Sequence, residues 1–179
     1  MPVETRPELP YFLFVGTIEP RKNLPLLLEA WHEVRKRAPS AGLMIAGRRR
    51  ADAPAILEEP GLRLLGEVPD DQLPGLYSGA AAFVYPSLYE GFGLPVVEAM
   101  QCGACVIASP ALRETAGDAA VYAENARELA QAMIDALERP DWRAEWGARA
   151  RARAAEFSWQ RTARQTYEVY QEARRRFGK

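Results

Sequence analysis

Short apolar runs, unbroken except for Arg63 in the third, each closed by glycine, proline or serine, recur along the chain. Tyr11–Val15 stops at Gly16, Leu43–Ala46 at Gly47, Leu62–Leu65 at Gly66, Ala80–Tyr85 at Pro86, and Ala104–Ala108 at Ser109 and Pro110. Unbroken apolar character, rather than alternation, marks strands covered on both faces, as in a parallel sheet. Ala119–Tyr122 is a weaker sixth strand. Between these runs the period changes to three and four residues. Leu24, Leu27, Leu28, Trp31 and Val34 share one face of a helix predicted over Leu24–Ala38, with Asn23 as its N-cap and Pro25 in the first turn, where the missing N–H costs little. Asp71–Tyr77 and Leu94–Gln101 are two further helices. Beyond Asn125 only helical periods remain: Glu128–Leu137, Trp142–Glu156 and Ser158–Phe177, the last with Trp159, Ala163, Tyr167 and Tyr170 on one face.

Strand alternating with helix implies right-handed crossovers. The predicted fold is therefore α/β, a Rossmann-like open parallel sheet with helices on both faces and a helical C-terminal tail. The 179 residues fit a single domain, with its core over 11–140 and the tail over 141–177. Ligands of such sheets bind outside the carboxyl ends of the strands, so the site is expected in the loops that follow strands.

Composition narrows the function. Basic and acidic side chains number 23 and 24, so no global positive field exists to hold nucleic acid or an anionic membrane. No apolar stretch approaches the length of a membrane span, and Met1–Pro10 lacks a signal-peptide pattern, which makes the cytoplasm the expected compartment. Cys102 and Cys105 form a Cys-x-x-Cys pair, but zinc wants about four ligands and the sole histidine, His32, is far away in sequence. Two small buried residues at a helix end and a strand start are expected instead, and no metal site. Nine arginines from Arg143 to Arg176, interleaved with Glu145, Glu156, Glu168 and Glu172, read as a solvated helix face. Contact with anionic lipid or with another domain is the alternative.

The stretch from Pro86 to Met100 carries the clearest chemistry. It follows a predicted strand, contains Gly91 and Gly93, and opens a predicted helix. Glycines bring bare backbone close to a ligand, and a helix start offers unpaired N–H groups, so this is a phosphate-binding pattern. Glu90 and Glu98 flank it eight residues apart, which on one continuous helix would separate them by about 12 Å. Glu98 sits among Val96, Val97, Ala99 and Met100, where a carboxylate wants a partner such as a pair of sugar hydroxyls. The loop from Gly16 to Asn23 supplies Arg21 and Lys22, a planar fork and a mobile point charge suited to a diphosphate.

At these residues the chain resembles the bacterial retaining glycosyltransferases called group 1, which have the GT-B fold. The matching signatures are VGTIEPRKN at 15–23, IAG at 45–47, LYSGAAAFVYPSLYEGFGLPVVEAM at 76–100, CG at 102–103, AGDAA at 116–120 and FSW at 157–159. Within the group, the loop at 17–23 looks most like mannosyl- and related transferases of polysaccharide assembly. The resemblance implies one GT-B half-domain that binds a UDP- or GDP-linked sugar, with Glu90 on the donor sugar and Glu98 on the ribose. It also implies Arg21 and Lys22 on the diphosphate, with the backbone of Gly91, Phe92, Gly93 and Leu94 facing phosphate. Gly16, Thr17, Gly47 and Val68 complete the implied donor site, the segment 66–68 lying beside the base. Glu90, Arg21 and Lys22 are then the catalytic groups, and no metal or other cofactor is needed because cations and amides stabilise the leaving phosphate.

The same resemblance implies an N-terminal acceptor domain as partner, absent here, and through it peripheral membrane contact. Thr17 departs from the arginine that many members place there, Cys105 from a frequent proline, and the segments 48–60, 109–115 and 122–127 look shorter than usual. A dinucleotide-dependent oxidoreductase is the alternative enzyme, though the glycine pattern at 91–93 lacks a third glycine. A nucleotide-binding module without turnover is the non-enzyme alternative.

Overall fold

The computed structural model describes residues 9–178. In chain order it has β1 (Tyr11–Val15), α1 (Leu24–Arg37), β2 (Gly42–Ala46), β3 (Leu62–Gly66), α2 (Leu73–Gly79), β4 (Ala82–Tyr85) and α3 (Leu94–Gln101). Then follow β5 (Val106–Ala108), α4 (Arg113–Ala116), β6 (Val121–Tyr122), α5 (Ala126–Glu138), α6 (Pro140–Ala154) and α7 (Trp159–Phe177). All strand pairs are parallel, in the order β3-β2-β1-β4-β5-β6.

The apolar runs explain this arrangement. Phe12, Leu13, Phe14, Leu43, Ile45, Phe83, Val84, Val106 and Ile107 are all fully buried, as central strands between two helical layers require. β3 differs because it is an edge: Leu62 is buried while Arg63 faces solvent. Right-handed crossovers put α1 on the face opposite α2 and α3, and α5 returns to pack on α1 while α6 packs on α3. Trp31 of α1 anchors its layer, buried edge-on against Phe12 with ring centroids 6.3 Å apart.

Six predicted strands and six predicted helices are present, several with shifted ends. Ala80 and Ala81 precede β4, and Ala104 and Cys105 precede β5. α2 starts at Leu73 because Pro69–Gln72 forms a turn, closed by the Gln72 N–H on the Pro69 carbonyl. Asn23 is the N-cap of α1 as expected, but in a left-handed conformation (φ 54°) and without a side-chain capping bond. Its carbonyl accepts from the Leu26 N–H. Three short elements were not anticipated, the 3-10 turns Pro20–Lys22 and Pro110–Leu112 and the one-turn helix α4.

The tail divides in two. α6 packs on the core through Gly147, Ala150 and Ala154, and its arginines are more than a solvated face: Arg151 donates to the Cys102 carbonyl, and Arg153 to the carbonyls of Thr115 and Glu114. α7 has no buried residue, and its aromatic face, with Trp159, Tyr167 and Tyr170, is exposed. Among the described residues no helix is long and apolar enough to cross a membrane.

Candidate functional site at the sheet reversal

The chain leaves β1 in one direction to build β2 and β3, then returns to β1 on its other side with β4. That reversal puts the loops after β1 and β4 side by side, leaving a crevice above the carboxyl ends of the strands. The loops are joined by backbone: the Leu88 N–H donates to the Arg21 carbonyl at 2.8 Å, and Arg21 Nη1 reaches back to the Tyr89 carbonyl at 3.3 Å.

Across this seam lies a chain of alternating charges. Arg50 Nη1 contacts Glu19 Oε2 at 2.7 Å, Glu19 Oε1 contacts Arg21 Nη2 at 2.7 Å, Arg21 Nη1 contacts Glu90 Oε2 at 2.5 Å, and Glu90 Oε1 contacts Lys22 Nζ at 2.6 Å. Lys22 Nζ also donates to the Tyr85 hydroxyl. Lys22 and Glu90 are well buried, with side chains 5% and 7% exposed, whereas Arg21 retains 30%. Burial alone would push the Glu90 carboxyl up, but hydrogen bonds from Lys22 and Arg21 outweigh it and hold the group below the usual carboxylate range. The Arg21 guanidinium is correspondingly raised by its hydrogen bond to Glu90.

Arg21, Lys22 and Glu90 therefore come together as expected, but they are paired with one another. Lys22 is no mobile surface charge; it is a buried ammonium in fixed contacts. Glu19, Arg50 and Tyr85 belong to the same constellation and were not singled out from the sequence. Glu19, sitting in the Gly16–Asn23 loop beside Arg21, was the signal that could have found part of it.

Gly16, Thr17, Gly47 and Val68 gather in a groove of about 490 Å³, together with Val15, Ala46, Arg48, Glu67 and Leu73. Gly47 is required by the fold itself: at φ 138° a Cβ there would lie 2.0 Å from the Gly16 carbonyl oxygen. Gly93, at φ 85°, is likewise forced, since a Cβ would meet Leu112 Cδ1 at 2.5 Å. Gly91 is different. Its φ is not positive, and a Cβ there would meet nothing within 4 Å. The fold makes no demand for glycine at 91, which leaves open space above bare backbone at the mouth of α3.

The start of α3 is a smaller amide site than expected. Pro95 has no N–H, and the Val96 N–H donates to the Gly93 carbonyl, so the loop amides of residues 91–94 carry the donor capacity. Phe92 and Leu94 are partly exposed, Phe92 lying edge-on to Phe157 at 5.5 Å.

Glu98 departs from expectation. Although its sequence neighbours are buried, Glu98 itself is exposed on α3. Its partner is protein: the buried Tyr77 hydroxyl donates to Oε2 at 2.8 Å. Glu98 also lines a second groove of about 430 Å³ with Phe92, Leu94, Val97, Gln101, Phe157, Ser158, Trp159 and Thr162, which shares no residue with the first. Glu90 lies before α3 rather than on it, so the helical separation of the two glutamates does not apply.

Neither cysteine joins the site. Burial pushes the Cys105 thiol up to about 12, and Cys102, half-buried at the end of α3, is raised by burial and by Glu98. Among the described residues no cluster of three or more histidine, cysteine, aspartate or glutamate side chains could hold a metal ion.

A doubly wound domain whose cations and bare backbone amides converge at the sheet reversal belongs to the class that binds phosphorylated nucleotides there. Comparison with known proteins narrows the class. Residues 2–153 match the family model of glycosyl transferases group 1, and the chain belongs to that family. It is 39% identical over 175 residues to the O-antigen chain mannosyltransferase B of Escherichia coli, covering 89% of this chain and 45% of that protein. It is 35% identical over 172 residues to a phosphatidyl-myo-inositol mannosyltransferase of Mycolicibacterium smegmatis, covering 89% and 44%. In both cases the chain spans less than half of the relative. An Anabaena HepE structure solved with UDP-glucose shares the fold, at TM-score 0.78 and 20% identity over 92% of this chain and 49% of that one. Sucrose-phosphate synthase of Thermosynechococcus elongatus superposes at TM-score 0.72 with 26% identity, over 92% and 45%. The sheet, its helical layers and these neighbours make the domain one half of the GT-B type.

Proposed function

We propose that this chain binds the nucleoside-diphosphate portion of a nucleotide-sugar donor, for glycosyl transfer to an acceptor hydroxyl held by a second domain. The carrying observation is the Arg21–Glu90–Lys22 cluster at the carboxyl ends of β1 and β4. Two cations fixed there compensate a diphosphate, and the amides of residues 91–94 lie on the same loop. An incoming diphosphate competes with the Glu90 carboxylate for these cations. Once displaced, Glu90 is free to accept hydrogen bonds from donor-sugar hydroxyls while Lys22 and Arg21 neutralise the charge that develops on the leaving phosphate. The groove of Gly16, Thr17, Gly47 and Val68 takes the base, and Glu98 the ribose.

The reaction we assign is hexosyl transfer with retention, in which the leaving diphosphate accepts the acceptor proton on the same face. No metal is needed, because side-chain cations are already in place. The mannosyltransferase relatives favour a mannosyl donor, linked to UDP or GDP. Catalysis needs donor and acceptor held in reactive geometry, worth on the order of 7–11 kcal/mol, so this chain alone binds donor without transferring sugar.

Calorimetry with GDP and UDP tests the reading. One of them binds, chelator leaves that binding unchanged, and Lys22→Ala weakens it while leaving the corresponding nucleoside unaffected. Failure of every nucleoside diphosphate to bind at millimolar concentration overturns the proposal.

A further inference from the structure

Lys22 and Glu98 are each met from beneath by a phenol of one aromatic stack. Phe14 stacks on Tyr85 at a centroid distance of 5.5 Å and 21°, Tyr85 stacks on Phe83 at 5.5 Å and 24°, and Phe83 meets Tyr77 edge-on at 5.3 Å and 73°. All four rings are buried, contributed by β1, β4 and α2. The stack ends in two hydroxyls that leave it at different places. The Tyr85 hydroxyl accepts from Lys22 Nζ at 2.5 Å, and the Tyr77 hydroxyl donates to Glu98 Oε2 at 2.8 Å.

We propose that Tyr85 and Tyr77 are positioning residues of the donor site, Tyr85 placing the ammonium that meets the diphosphate and Tyr77 the carboxylate that meets the ribose. This rests on the donor-binding function above. The core itself has no use for these hydroxyls. Phenylalanine would fill the same stack, and a buried hydroxyl costs free energy unless it is bonded. Both are bonded, and both to residues of the site rather than to the scaffold. Burial, reinforced by Glu98 for Tyr77 and by Glu90 for Tyr85, raises both phenols and keeps them protonated.

The two contacts do different work. When a diphosphate displaces Glu90 from Lys22, the bond to Tyr85 remains, because it approaches from the core side; the flexible lysine stem is then already ordered before the ligand arrives. Glu98 stands on the exposed face of α3, where a glutamate without a fixed partner samples many rotamers. Tyr77 selects one of them. The same aromatic stack thus ties the placement of both charges to the packing of β1, β4 and α2.

Tyr85→Phe and Tyr77→Phe, made in the full chain and titrated with GDP, UDP, guanosine and uridine, separate these roles. Tyr85→Phe weakens the bound diphosphate by about tenfold, the loss of one hydrogen bond to a charged group, and leaves the nucleoside unchanged. Tyr77→Phe weakens diphosphate and nucleoside by the same factor. Neither loss appears again in the background of its partner, Lys22→Ala for Tyr85 and Glu98→Ala for Tyr77. Losses that persist undiminished in those backgrounds are general structural damage and overturn the proposal, as does unchanged affinity in the phenylalanine variants when Lys22→Ala and Glu98→Ala weaken binding. Should the wild-type chain bind no diphosphate, the functional reading fails separately. The positioning contacts are then read without ligand by NMR: Tyr85→Phe accelerates proton exchange at the Lys22 ammonium, and Glu98→Ala does so at the Tyr77 hydroxyl. Unchanged exchange in both overturns the inference.

Discussion

Replacing Glu90 by glutamine keeps the shape of the side chain and removes its charge, and the charge chain makes the consequences opposite in sign for stability and for diphosphate affinity. In the wild type Glu90 accepts two charge-assisted hydrogen bonds, from Arg21 at 2.5 Å and Lys22 at 2.6 Å. Bonds to charged groups are worth about 1.5–3 kcal/mol and neutral ones about 0.5–1.5 kcal/mol, so weakening two of them costs roughly 2 kcal/mol. Partial exposure of Arg21 reduces its share. For a domain of this size that loss lowers the Tm by about 4–8 °C. The same change frees Lys22 and Arg21 from a competing anion, so GDP or UDP binds Glu90→Gln more tightly, by about tenfold or roughly 1.4 kcal/mol. A sugar-linked donor gains less, because the displaced carboxylate that would accept its hydroxyls is gone. The effect on stability also has a pH signature. The Glu90 pKa is lowered on folding from an ordinary value of 4.5, so its contribution is fully present above that value and is lost as pH falls through the lower folded one. Thermal unfolding from pH 7 to 3 should show the two proteins differing at neutral pH and converging in acid. Equal melting temperatures at pH 7, or weaker diphosphate binding by the glutamine variant, would refute the ion-pair argument.

Two further outcomes follow from single positions. Gly91→Ala should leave the Tm within about 1 °C, since its Cβ meets open space, yet impair diphosphate binding by crowding the backbone amides; Gly93→Ala should instead destabilise the fold through its positive φ and the collision with Leu112, and preserved binding in Gly91→Ala would remove the case for ligand approach there. With a thiol reagent at pH 8, Cys105 in the native chain should react far more slowly than in urea, and Cys102 ahead of it; a native Cys105 as fast as a free thiol would contradict its burial.

Much of the fold was legible in the sequence because it is written in local terms. An apolar run closed by Gly16 or Gly47 reports a strand buried on both faces, and a three-and-four spacing such as Leu24, Leu27, Trp31 and Val34 reports a packed helix, whatever the rest of the chain does. The loops that carry Arg21, Lys22 and Glu90 were likewise recognisable, since each follows such a run. Local patterns do not report which strands lie side by side, and the neighbouring of β1 and β4 brings Lys22 to Glu90 across 68 residues of chain. The left-handed turn at Asn23, the buried phenols under Lys22 and Glu98, and the charge chain through Glu19 and Arg50 all depend on that arrangement. Glu98 shows the limit most directly. Buried neighbours in sequence suggested a buried carboxylate, but a helix turns by about 100° per residue, and the rotation that buries Val97 and Ala99 leaves Glu98 exposed. The sequence determined the types of element and the residues available for chemistry; only the tertiary structure decided their partners, because charges and rings distant along the chain pair through sheet order and packing.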